Sequence, residues 1–253
     1  MAVTATFEYQ RLLARLVVDD SFHTAFLRDR THVADTMGLD PDLVGRIDLA
    51  GVDTFRTVVR GSRSTTFRLV LGRLADVLTI DEWRRLLSDF HRQVVVADAS
   101  GWHDLDLFCD WLDDEFPGSK GATVARYQTL VQQLGSARHV DVPAGSLRAN
   151  PKAGWFATPY DFEDVMDMSP ADVWAFAPAS ELHYYALVAT TADDDITVLE
   201  IDRRGADVLT LLQRPRSASE VAARIAGDTG APDQLIDDLA DAGLIVYGAE
   251  AHG

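Results

Sequence analysis

The spacing of apolar residues changes once along this 253-residue chain, and that change limits the folds open to it. From Phe7 to Gly135 apolar residues recur three and four positions apart, which is one face of a helix; beyond Tyr160 the runs are short, β-branched and aromatic, which suits strands. Tyr9, Leu12, Leu13 and Leu16 make a first stripe, and Phe22, Phe26 and Leu27 a second. Gly38 ends a helix and Asp40-Pro41 opens the next. Thr79 and Glu82 form a capping box before a helix carrying Ile80, Trp83, Leu86, Leu87, Phe90 and Val94. Leu105, Phe108, Cys109, Leu112 and Phe116 mark another helix, and Val124, Tyr127, Leu130, Val131 and Leu134 one more. Residues 1–135 therefore read as a bundle of about six or seven helices.

Residues 136–170 read as a linker or crossing segment, because 136–160 holds three prolines and several small turn residues without sustained periodicity. Trp155, Phe156, Tyr160 and Phe162 either pack it onto a domain or meet a partner, with packing favoured. In residues 171–253, Val173–Phe176, Tyr184–Thr190 and Ile196–Ile201 read as strands, with a turn at Ala192–Asp195 between the last two. A helix over Ala206–Leu212 follows. Ser217 and Glu220 then box the start of a helix with Val221, Ala222 and Ile225 on one face, running to about Gly227. Pro232 opens a last helix, Leu235, Ile236 and Leu239 are its stripe, and Gly243 suits a left-handed end. Leu244–Tyr247 is a strand or wing. The expected class is α+β: an N-terminal helical bundle followed by a winged-helix-like domain of a three-stranded antiparallel sheet plus three helices.

Winged helices that grip DNA bring Lys or Arg to phosphates and side-chain donors to base edges. The last helix here brings Asp233, Asp237, Asp238 and Asp241 instead, and over residues 216–248 two arginines, Arg216 and Arg224, face six carboxylates. With a net charge of −17 and a pI near 4.6, the field repels nucleic acid and anionic membrane. Cys109 is the single cysteine, so no intramolecular disulfide or cysteine-rich zinc site forms. The first residues lack a signal-peptide core and no run of about 18 apolar residues is present. A cytoplasmic protein is expected.

Catalysis needs a nucleophile with a base, paired acids in a cleft, or metal ligands at workable spacing. His103, Asp106 and Cys109 lie at helical spacing, yet Cys109 falls on the apolar stripe of Phe108 and Leu112, which suits a buried structural thiol. His23, His32, His91, His139 and His183 form no HxxxH or HxH set. Asp193-Asp194-Asp195 lacks the spacing and final Glu of a calcium loop, and Gly101, Gly118 and Gly121 form no phosphate-cradling motif. No catalytic residue and no metal ligand is assigned.

One basic stripe interrupts the acidic chain. No Asp or Glu lies between Asp53 and Asp76, while Arg56, Arg60, Arg63, Arg68 and Arg73 do, the first three at i, i+4 and i+7 on one helical face. Two readings stand: the stripe pairs with the chain's own carboxylates, or Arg56, Arg60 and Arg63 dock an acidic partner.

The C-terminal order, with the phrase LLQRPRSASEVAARI, resembles the PqqD-like precursor-peptide recognition element of ribosomally synthesised, modified peptide (RiPP) pathways. That resemblance implies a leader peptide added to a sheet edge beside the last helix. Ile196, Val198 and Glu200 of the strand, and Gln234, Asp237, Asp238 and Asp241 of the helix, would form the peptide site. GLDPDLVGRIDLAG, LGRLADVLTIDEWRRLLSDF and DLDLFCDWLDDEF are similar in order to the helical half of methanobactin-type partner proteins of multinuclear non-haem iron oxidative enzymes. This chain has Arg60-Gly61-Ser62-Arg63 where those partners carry a denser basic run. Together the resemblances imply a non-catalytic adaptor that binds a precursor leader and forms a heterodimer with a metal-dependent oxidase. The iron then belongs to the partner enzyme and this chain holds no cofactor. The alternative is a winged-helix regulator that binds a protein or small ligand in place of DNA; third is an enzyme whose site a single sequence does not reveal.

Overall fold

The structure, a computed structural model, describes residues 2–94, 101–138, 140–176, 181–189, 195–225 and 232–248. These form thirteen α-helices and two three-stranded antiparallel sheets, so the protein is mixed α+β and mostly helical. Two compact units result, Met1–Glu115 and Phe116–Gly253.

The first unit contains α1 (Ala2–Val18), α2 (Asp20–Arg28), α3 (Arg30–Met37), α4 (Pro41–Gly45), α5 (Leu49–Val70), α6 (Gly72–Val77), α7 (Ile80–Gln93) and α8 (Gly101–Glu115). Part of the acidity goes into helix starts. Asp19, Asp29, Asp40 and Asp48 accept the backbone N–H groups of Phe22, His32, Asp42 and Ala50, satisfying donors that a helix leaves open. Gly38 ends α3 at φ 65°, and Thr79 and Glu82 cap α7 reciprocally. One core gathers Leu12, Leu16, Phe26, Val33, Leu39, Val44 and Ile47. A second region is aromatic: Phe67, Phe90 and Phe108 stand 5.1–6.0 Å apart between centroids, a spacing that favours tilted and edge contacts. Trp83, Leu112 and Cys109 are buried as well; Ile80, expected on the same stripe, is 46% exposed.

The second unit begins earlier than the sequence reading placed it. It contains α9 (Lys120–Ser136), β1 (Ser146–Ala149), β2 (Ala153–Thr158), α10 (Phe162–Met166), β3 (His183–Ala189), β4 (Ile196–Ile201), α11 (Arg203–Leu211), β5 (Arg216–Ser217), α12 (Ala218–Ile225), α13 (Pro232–Asp241) and β6 (Ile245–Tyr247). The sheets run β2-β3-β4 and β5-β1-β6. The stripe Tyr127, Leu130, Val131 and Leu134 of α9 packs on Phe156, Tyr185 and Leu187, which assigns α9 to this unit. On the other face, Ala186, Val188, Leu199 and Ile201 share a core with Val208, Leu209, Val221, Ile236 and Leu239. Because both faces of the sheet are covered, β2 shows no apolar–polar alternation, and its segment reads as a linker. Trp155 joins one core and Phe156 and Phe162 the other, so these aromatics pack. Gly154 permits close approach: a Cβ there would come within 3.0 Å of Leu130.

Residues Val173–Phe176 form no strand. Asp172 accepts the N–H of Ser169 and holds a turn, the Val173 carbonyl accepts the N–H of Gly121, and Phe176 makes one isolated bridge to Ser119. The Ser217–Glu220 box is formed, and Gly243 is left-handed at φ 73°. Thr190, the turn residues Ala192–Asp194, His139 and the helix end near Gly227 lie outside the described residues, as does the side chain of His103. No helix among the described residues is long and apolar enough to cross a membrane.

Candidate functional site

β4 ends its sheet, pairing with β3 alone among the described strands. The outward backbone groups follow from register. The N–H of Ala189 donates to the carbonyl of Lys152, on the β2 side, at 2.9 Å. In an antiparallel ladder N–H and C=O of one residue point the same way, and successive residues alternate. Val188, Ala186 and Tyr184 therefore bond toward β4, to Thr197, Leu199 and Ile201. Ile196, Val198 and Glu200 are left with N–H and C=O groups facing the open edge. A row of such groups is a template for another strand.

The side chains of the same three residues point elsewhere than expected. Ile196 and Val198 pack with the α9 core, while Leu199 and Ile201 share their core with α13. The period of two separates these sets onto opposite faces. Glu200 follows the Ile196 parity, its Oε1 lying 3.4 Å from His183 Nδ1. Thr197, Leu199 and Ile201, not Ile196, Val198 and Glu200, are thus the β4 side chains on the α13 side of the sheet.

On α13, Gln234, Asp237, Asp238 and Asp241 are all exposed, because Ile236 and Leu239 turn inward. Gln234 Nε2 donates to Asp238 at 2.7 Å. Asp237 accepts from the Tyr247 hydroxyl of β6 at 3.4 Å, so it lies toward β6. Burial first, then the Asp237 charge, raises the Tyr247 phenol above its ordinary value. Leu239, by contrast, stands with Ile201 beside Gly205. The helix thus offers Leu239 and half-buried Leu235 to the core that holds Leu199 and Ile201, and its acids to solvent and β6. Tyr247 was not singled out in the sequence; its pairing with Asp237 spans ten residues and a turn, and no local pattern carries it.

Two members of the arginine stripe, Arg56 and Arg63, are turned inward, while Arg60, Arg68 and Arg73 are exposed. Arg56 is 7% and Arg63 is 6% exposed, sharing the buried face of α5 with Val52 and Phe67. Arg56 donates to the Leu16 carbonyl and pairs with Asp20, which Arg60 also meets. Arg63 Nε lies 2.8 Å from Asp104, a fully buried carboxylate. Arg56 and Arg63 are therefore unavailable for docking, and Arg60 is tied to Asp20: the chain's own acids take these three.

Among the described residues no group of three or more His, Cys, Asp or Glu is placed to hold a metal ion. Comparison with protein-family models gave no match, and comparison with curated proteins gave none.

Proposed function

We propose that the second unit recognises a peptide and that the chain is a non-catalytic adaptor of RiPP biosynthesis, holding a precursor leader for a partner iron-dependent oxidase. What supports this most is the β4 edge: Ile196, Val198 and Glu200 offer three outward N–H and C=O pairs at the end of the sheet. An extended leader adds there as a fourth strand, taking affinity from the main chain and specificity from side chains along β4 and α13. The element order α11-β5-α12-α13-β6 supports the winged-helix reading, since a helix, a strand, two helices and a wing strand follow one another in that arrangement. The net charge of −17 favours a leader carrying Lys or Arg, with binding that weakens as salt rises. Holding the leader raises the effective concentration of the residue to be modified, so this chain needs no reactive side chain. The oxidase, on this reading, meets the helical unit through a surface other than Arg56 and Arg63.

Leader binding by calorimetry tests this. Val198→Pro removes one edge-facing N–H without touching the β3–β4 ladder, and should weaken binding by at least about tenfold. Full-strength binding would move the peptide off this edge. It would put forward the second reading, a winged-helix regulator. That reading is favoured by a cavity of about 570 Å³ in the second unit, lined by Arg138, Asp141, Asn150, Lys152 and Tyr247 among others.

A further inference from the structure

The first unit leaves in water an apolar stripe that the adaptor reading does not use. Five positions of α5 recur three and four residues apart, Phe55, Val58, Ser62, Thr65 and Leu69, which is the spacing of a seam between two helices. Phe55 is 59%, Val58 60% and Leu69 83% exposed. Thr65 adds to the apolar surface, because its hydroxyl donates to the Gly61 carbonyl at 2.9 Å and its methyl group is left for packing. Singly exposed apolar residues are ordinary; a row of them along one helix marks an interaction face.

The stripe is symmetric about its middle. Phe55 and Leu69 stand seven residues before and after Ser62, and Val58 and Thr66 four. The middle itself is small and open. Gly61 sits inside a 22-residue helix, where only proline is less favourable, yet a Cβ there would meet nothing within 4 Å. No packing within the chain demands glycine; a second helix crossing at close range does. Charge, by contrast, changes sign along the helix: Asp48 and Asp53 are exposed at its start, Arg68 near its end and Arg73 just beyond. Asp53 stays 60% exposed although His23 Nε2 lies 3.2 Å away, and among the described residues Arg68 and Arg73 have no ion pair. Beside Leu69 the surface opens into a groove of about 480 Å³, lined by Thr65, Arg68, Leu69 and Ile80 among others and by no carboxylate of the described residues. A helix with large apolar ends, a small middle and opposite charges at its two ends complements a copy of itself laid across it antiparallel.

We propose that α5 is a homodimer interface: two copies of this chain pack their α5 helices antiparallel about a two-fold axis at Gly61–Ser62, each Phe55 entering the other copy's Leu69–Ile80 groove and each Asp53 meeting the other copy's Arg68. An aromatic side chain seated in a groove is the kind of contact that carries most of an interface's affinity, and by symmetry every substitution acts twice. The interface lies wholly within the Met1–Glu115 unit and stands or falls apart from the peptide edge.

Sedimentation velocity of the full chain over roughly 1–100 μM tests it. The expected result is a concentration-dependent shift from the 27.8 kDa chain to a species of twice that mass. Phe55→Asp should raise the dimer dissociation constant at least about thirtyfold, and Gly61→Leu, which wedges the crossing apart, at least about tenfold, both with the circular dichroism unchanged. The charges test the antiparallel register. Asp53→Lys and Arg68→Glu should each weaken self-association about tenfold, since each sets like charges against one another twice. An equimolar mixture of those two variants should restore association, because opposite charges then face each other at both places. Should Gly61→Leu fail to fold, the exposed Phe55, Asp53 and Arg68 substitutions carry the test. A parent that is monomeric throughout, a dimer that survives Phe55→Asp, or a mixture that associates no more tightly than the single variants overturns the proposal.

Discussion

The charged stripe of α5 and that of α13 have opposite fates. Both helices place like charges at helical spacing. In α5 Arg56 and Arg63 share an angular position with Val52 and Phe67 and go inside, whereas in α13 Asp237, Asp238 and Asp241 lie off the arc of Ile236 and Leu239 and stay in water. What decides burial is angular position relative to the apolar residues, together with a partner to receive the charge. Arginine suits the inward role, since its long apolar stem packs while the guanidinium reaches Asp20, Asp104 and the Leu16 carbonyl. Among the described residues the four aspartates of α13 have no ion pair with Lys or Arg, and Asp237 meets the Tyr247 hydroxyl and Asp238 the Gln234 amide instead.

The largest effect that would break this contrast is at the buried pair. Asp104→Ala removes the carboxylate partner of buried Arg63 and should cost about 3–5 kcal/mol of stability in urea unfolding. Replacing both together, Arg63→Met with Asp104→Leu, should cost far less. A loss below about 1 kcal/mol for Asp104→Ala would place the pair in the screened surface class and erase the difference from α13. Proline scanning of β4 is the next largest. Leu199→Pro deletes an N–H bonded to β3 and should destabilise the protein by about 1–3 kcal/mol more than Val198→Pro. Equal losses would mean that the outward set is not Ile196, Val198 and Glu200.

The smallest effect concerns pH. His91 titrates below its ordinary 6.5, burial being the main cause, so between that lowered value and 6.5 the unfolded chain holds more protons than the folded one. Its contribution is full above about pH 6.5 and is lost as pH falls through the folded-state value. Thermal unfolding at pH 7 and pH 5 should show a larger loss for the parent than for His91→Gln; parallel profiles would remove His91 from the acid response of the helical unit.

Local chemistry was legible in the sequence wherever partners lie within one turn. The boxes at Thr79–Glu82 and Ser217–Glu220, the left-handed Gly38 and Gly243, the opening Pro232 and the buried Cys109 are formed by residues a few positions apart. The strand at Ile196–Ile201 was legible too, since β-branched residues crowd into it. Tertiary structure alone decided the rest. The assignment of α9 rests on Phe156, Tyr185 and Leu187, residues from strands well beyond it. Arg63 was assigned by Asp104, 41 positions away (104 minus 63). The direction of the Val198 amide rests on the bond from Ala189 to Lys152, since only a ladder already formed on one side fixes which groups remain open on the other. Periodicity reports that a residue has a face and a direction; which neighbour occupies each is a property of pairing across the chain, and the chain must be folded before it exists.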